Sequence, residues 1–279
     1  MDIKRLAAFS MDGTGGNPAG VMLLDAPLPE ADMARIAADV GYSETAFAVP
    51  QNAAQRSWRV RYFSPAAEVP FCGHATSALG AVLAQTVGAG RFDLTLNDAE
   101  ISVEGAERDG QMMATLASPP TQSGALAPGD LAAILALFGL EAGDLDSRLP
   151  AARIHGGADH AGLPLRDRAR LAAMDYDLGD GRTLMRQLGL VTIMLVHILE
   201  DRVFAARNAF AAGGVLEDPA TGAAAAAFAG FLRDQGWPHG GSFTIRQGED
   251  MGAPSRIEVT LSDVVGAPVR ITGATRAIA

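Results

Sequence analysis

Two segments of this chain are built almost wholly from small and apolar residues: 75–85, ATSALGAVLAQ, and 221–232, TGAAAAAFAGFL. Their length and composition predict helices. A helix with no polar stripe cannot lie on a surface, so both must be surrounded by protein. Each follows a turn that carries titratable groups and has a glycine where the helix begins. The first turn is Cys72-Gly73-His74; the second is Glu217-Asp218-Pro219-Ala220, followed by Thr221-Gly222. The chain therefore reads as two related halves, each wrapping strands around one buried helix.

The remaining elements fit that plan. Strands are expected at 2–10, 20–25, 43–49 and 57–63, with a helix at 29–40 whose apolar residues recur at helical spacing. A β meander is expected over 91–117, and SPPTQSGALAPGD (118–130) reads as a linker. Beyond it, helices are expected at 131–138, within 164–174 and at 181–188, and strands at 190–199, 203–210, 241–246, 256–262 and 268–271. The expected division is 1–119 and 120–279, with the last strand a candidate to return to the N-terminal domain.

Composition narrows the function. Lys and Arg total 22 against 32 Asp and Glu, a formal net charge of -10, with no basic stripe. That excludes a nucleic-acid backbone as the expected partner. One cysteine allows no internal disulfide and points to a reducing, cytoplasmic setting. The N-terminus lacks the pattern of a signal peptide, and the longest apolar run, 188–199, is too short to span a bilayer, so no membrane association is expected.

A helix start carries orphan N–H groups and a partial positive charge, so it suits a small carboxylate or a developing enolate. Near the two starts sit Glu44, His74 and Asp218, the usual side chains of proton transfer. Gly73 and Gly222 leave room for a ligand to approach the backbone. Structural alternatives stand beside these roles. Glu44 could be a strand-end carboxylate, His74 a satisfied buried histidine, Asp218 a helix cap and Cys72 a small buried hydrophobe. His155 and His160 show no metal-ligand spacing, so no metal is expected. DGTGGNPAG lacks both the dinucleotide and the P-loop patterns.

Four blocks, GGNPAGVMLLD (15–25), GYSETAFAVP (41–50), RYFSPAAEVPFCGHAT (61–76) and RNAFAAGGVLEDPATGAA (207–224), together resemble the PhzF-like family. The resemblance implies an α+β, diaminopimelate epimerase-like fold: two similar domains, each a barrel-like, mostly antiparallel sheet around a central helix, with the site in the cleft between them. It implies cofactor-independent isomerisation of a small cyclic or unsaturated carboxylic acid, and a homodimer. On it, the proton-carrying glutamate matches Glu44, with His74 and Asp218 as its catalytic companions. Asn17, Gly73, Thr221, Gly222 and Ala223 fall among the substrate-binding positions. One departure stands out: the family's serine after Thr-Gly is here Ala223. A two-thiol racemase is excluded by cysteine count. The alternative is an inactive small-molecule binding or regulatory protein on the same scaffold.

Overall fold

The structure is a computed structural model of the chain and describes residues 2–278. It divides into two units. Unit 1 runs to Ala117 and resumes at Thr272; unit 2 is Ser118–Ile271.

Unit 1 contains β1 (Lys4–Ser10), β2 (Asn17–Leu23), α1 (Glu30–Val40), β3 (Glu44–Pro50), β4 (Ser57–Phe63), β5 (Glu68–Val69), α2 (Gly73–Val87), β6 (Gly90–Thr95), β7 (Glu100–Arg108) and β8 (Gln111–Ala117). It is completed by β16 (Arg270–Ala277). The strands neighbour one another in the order β1-β2-β3-β4-β6-β7-β8-β16. The ring closes because β16 also pairs with β1, Leu6 opposite Ala277 and Ala7 opposite Arg276. At its centre lies α2, buried continuously from His74 to Ala84.

Alternation along each strand decides what meets that helix. On β3, Ala46 and Ala48 join Leu79, Val82 and Leu83 of α2 in one core. The alternate residue Phe47 faces outward and packs with Met33 and Ala37 of α1. The helix and β7 touch nearly backbone to backbone. A Cβ on Gly105 would lie 2.3 Å from the Gly80 carbonyl oxygen, and one on Gly80 would lie 2.4 Å from Val103 Cγ2. Small residues on α2 are thus a packing requirement of a narrow barrel.

Unit 2 contains β9 (Gln122–Ala125), α3 (Pro128–Leu137), β10 (Ala152–His155), β11 (Asp159–Leu165), α4 (Arg168–Ala172), α5 (Leu178–Leu188), β12 (Thr192–Glu200), β13 (Val203–Ala209), α6 (Gly222–Asp234), β14 (Ser242–Gln247) and β15 (Ser255–Thr260). Its strands run in the order β15-β14-β13-β12-β11-β10-β9. Most pairs are antiparallel; β11–β12 and β13–β14 are parallel. On one face lies α6, where Phe228 meets Phe204 of β13 edge to face at 5.2 Å. On the other, Ile134 of α3 and Met185 of α5 pack against Leu163, Leu195 and Ala209. Arg233, buried in the last turn of α6, donates to Thr121 Oγ1 at 2.6 Å and to the Ala267 carbonyl at 3.2 Å. A cation there also complements the helix dipole.

Several sequence expectations need correction. The segment expected as a pure linker contains β9, which pairs with β10. DHAGLPL, which carries Asp, Gly and Pro, and the four-residue ARIH form β11 and β10 because they fill the sheet between β9 and β12. The helix expected within 164–174 is only α4, since Pro164 lies in β11 beside Val196. The second strand begins at Asn17 rather than residue 20, and the last runs to Ala277 rather than ending at 271. Among the described residues, no helix is long and apolar enough to cross a membrane.

Candidate active site

The alternation that sends Ala46 and Ala48 inward also sends Glu44, the first residue of β3, toward the start of α2. His74 is in the first turn of that helix. The two meet, with Glu44 Oε2 3.3 Å from His74 Nε2. Ser43 Oγ lies 3.2 Å from the same nitrogen. The other ring nitrogen, Nδ1, lies 3.3 Å from Cys72 Sγ. The imidazole therefore has a carboxylate and a hydroxyl at Nε2 and a thiol close to both nitrogens, 3.3 Å from Nδ1 and 3.8 Å from Nε2.

Polar groups beneath this cluster hold the helix start. Burial pushes the Tyr62 phenol well above its ordinary range, so it stays protonated and donates to Thr76 Oγ1 at 2.6 Å. Thr76 in turn donates to the Cys72 carbonyl at 2.6 Å. Cys72 occupies the N-cap position of α2, and its own side chain makes no cap hydrogen bond. The first-turn N–H groups of α2 keep the partial positive charge of a helix start. A side chain at Gly73 would project into space where only Phe71 Cζ, 4.0 Å away, is near. Asn17, buried at the head of β2, shares the inward face with Ala19, which pairs with Glu44.

Not every nearby carboxylate belongs to the cluster. Glu68 accepts two hydrogen bonds from Arg61, at 2.7 and 2.6 Å, and one from Asn97 at 2.8 Å. The Arg61 guanidinium holds it below the usual carboxylate range.

Unit 2 presents its own acid-bearing helix start. The Asp218 N–H donates to the Asn208 carbonyl at 3.0 Å, and Asp218 Oδ2 accepts from the Thr221 hydroxyl. Thr221 is the N-cap residue of α6; its own side chain makes no cap hydrogen bond, and its N–H donates to Gln247 Oε1 at 3.4 Å. Gln247, fully buried at the end of β14, donates to the Asp218 carbonyl at 2.7 Å and to Thr221 Oγ1 at 3.2 Å. The Thr221 hydroxyl hydrogen is thus directed at Asp218. Gly222 and Ala223 open α6, both half-buried.

Sequence reading gave no role to Ser43, Tyr62, Thr76 or Gln247. Tyr62 was visible as an inward position of the alternating WRVRY run; Gln247 carried no signal, because its partners lie 26 or more residues away.

The family model described as "Phenazine biosynthesis-like protein" (PhzC-PhzF) matches residues 6–278. The chain belongs to this family. A relative from Deinococcus radiodurans, "Uncharacterized isomerase", is 34% identical over 91% of this chain and 84% of its own length. The trans-2,3-dihydro-3-hydroxyanthranilate isomerase of Pseudomonas aeruginosa is 30% identical over 90% of this chain and 86% of its own. The PhzF family protein of Bacillus anthracis has the same fold, with a TM-score of 0.86 at 21% identity, covering 100% of this chain and 98% of that one. A probable proline racemase from Agrobacterium radiobacter aligns with a TM-score of 0.64 at 14% identity, covering 99% of this chain and 90% of that chain. The fold is thus α+β and epimerase-like, and the PhzF family protein described here is an isomerase.

Proposed function

We propose that this PhzF family isomerase moves a proton within a small cyclic or unsaturated carboxylic acid, using Glu44 as acid and base and no cofactor. The observation that carries the reading is the contact of Glu44 Oε2 with His74 Nε2 at the start of a buried helix. The Glu44 carboxylate takes a proton from an acidified C–H and returns it to another carbon. His74, in contact with Cys72 and Ser43, orients Glu44. The α2 helix start stabilises the negative charge that develops on the substrate, an electrostatic contribution already in place before reaction.

Ala223 bears on the choice of substrate. A methyl cannot make the hydrogen bond a serine would, so a substrate whose polar group relied on that hydroxyl would bind with a partner missing. The acid handled here therefore differs from one that needs a hydroxyl at this position.

The test compares the wild type with Glu44→Gln in D2O. The substrates are trans-2,3-dihydro-3-hydroxyanthranilate and a panel of cyclic and unsaturated amino and carboxylic acids, followed by NMR. Deuterium gain in the wild type should fall about 10²–10⁴-fold in the variant. Equal exchange in both proteins would remove Glu44 from the mechanism.

A further inference from the structure

We propose that a cavity at the rim of unit 1, walled by Glu107 and Arg276, is a second small-molecule site that takes a free α-amino acid with a polar side chain. It does not depend on the proton transfer assigned to Glu44.

The cavity measures about 370 Å³, within the range of about 300–1,000 Å³ usual for small-molecule sites. Ser10, Gln85, Glu107, Gln111, Thr275 and Arg276 supply its polar lining, and all belong to unit 1. The cavity is distinct from the cluster at His74. Gln85 follows His74 by eleven residues on α2, about 16 Å along the axis.

Strand pairing brings these residues together. Glu107 of β7 lies opposite Met112 of β8. The Thr275 hydroxyl of β16 donates to the Met112 carbonyl at 3.2 Å. On the other side of β16, Ala274 lies opposite Ser10 of β1. β1 bulges just before this point, where Phe9 has a φ of 60°, a conformation rare for a bulky residue. Bulges re-aim side chains, and Ser10 is delivered to the cavity.

The polar groups sort into two ends. Ser10 and Thr275 are buried, and their hydroxyl hydrogens go to the carbonyls of Ala274 and Met112, at 3.4 and 3.2 Å. Their oxygens are left as acceptors. With the Glu107 carboxylate they favour a cationic N–H donor. Arg276 makes the other end. Among the described residues its guanidinium makes one hydrogen bond, from Nε to the Gly15 carbonyl at 3.0 Å. Both Nη groups remain for a carboxylate, which suits the fork of an arginine.

An ammonium and a carboxylate on one small molecule satisfy both ends. A phosphate would bring negative charge against Glu107, and a polyamine would bring positive charge against Arg276. An apolar ligand would leave the charged lining without partners, and Met112 is the only large apolar side chain in the wall. The carboxamides of Gln85 and Gln111 suit a ligand side chain that both donates and accepts.

The experiment titrates L-glutamine and L-asparagine into the full chain by calorimetry. At least one should bind one equivalent at millimolar concentration or below. Two counterparts of the tighter binder are then compared. One is the amine without the carboxylate (γ-aminobutyramide or β-alaninamide). The other is the acid without the ammonium (glutaramate or succinamate). Each should bind about tenfold or more weakly, the loss of one charged hydrogen-bonded contact. Glu107→Gln should weaken the amino acid to a similar extent and remove its advantage over the acid. Arg276→Lys keeps the charge but loses the fork, and should reduce its advantage over the amine. Glu107 is exposed, so its variant stays decisive if the lysine loosens the contact with Gly15. Glu44→Gln should bind as the wild type does.

Failure of both amino acids to bind overturns the proposal, as does binding that survives both Glu107→Gln and Arg276→Lys. Binding lost in Glu44→Gln but kept in Glu107→Gln would place the amino acid at the candidate active site and overturn it as well.

Discussion

His160 shows what burial does to a single group. It has no exposed surface, and its side-chain hydrogen-bond partner is Thr192 Oγ1, 2.6 Å from Nδ1. Desolvation pushes its pKa down to about 4. The unfolded chain binds this proton near pH 6.5, whereas the folded protein refuses it until about pH 4. Between those values the unfolded state holds more protons, so stability must fall as the pH falls. The shift corresponds to about 3 kcal/mol, expressed across that window. Urea unfolding of wild type and His160→Gln at pH 7, 5.5 and 4.5 checks this: the wild type should lose more stability on acidification. Parallel losses would show that His160 is protonated in the fold. The histidines also show what a sequence discloses. That His74 opens a helix and Glu44 opens a strand follows from periodicity and turn residues. That they touch does not, because contact depends on which face of β3 turns inward. Cys72 read as a small hydrophobe, and burial agrees, but the sulfur is also set against the His74 ring.

At the scale of elements, the two apolar helices were the most legible part, because a segment with no polar face has only one place to go. The strands 152–155 and 159–165 were not, because the first is only four residues long, the second carries the turn formers Asp159, Gly162 and Pro164, and their neighbours make them strands. The tight seat of α2 on β7 gives a sharp expectation. Gly105→Ala puts a methyl where the Gly80 carbonyl and the Ala84 side chain already lie, 2.3 and 2.7 Å from the new carbon. Overpacking of this kind costs about 1–3 kcal/mol, and here the obstruction is backbone. Chemical denaturation should show at least that loss. An unchanged midpoint would mean that α2 slides away from β7 without penalty.

For the whole molecule, the informative feature is that unit 1 draws on both ends of the chain. Without β16, both β1 and β8 lose a neighbour, and the ring around α2 opens. A chain ending at residue 271 should therefore lose hydrogen-exchange protection throughout β1 to β8, while β10 to β13 of unit 2 keep theirs. Full protection of α2 in that truncation would show that seven strands suffice.

Synthesis runs against this arrangement. A ribosome makes β8 and must then make all of unit 2 before β16 emerges. At roughly 5–20 residues per second that is a delay on the order of ten seconds. Through that interval β1 and β8 wait as open edges beside an apolar helix, the kind of surface that captures other chains. The half that is translated first is thus the half that finishes folding last. The nascent protein should lean on holding chaperones most while unit 2 is being made.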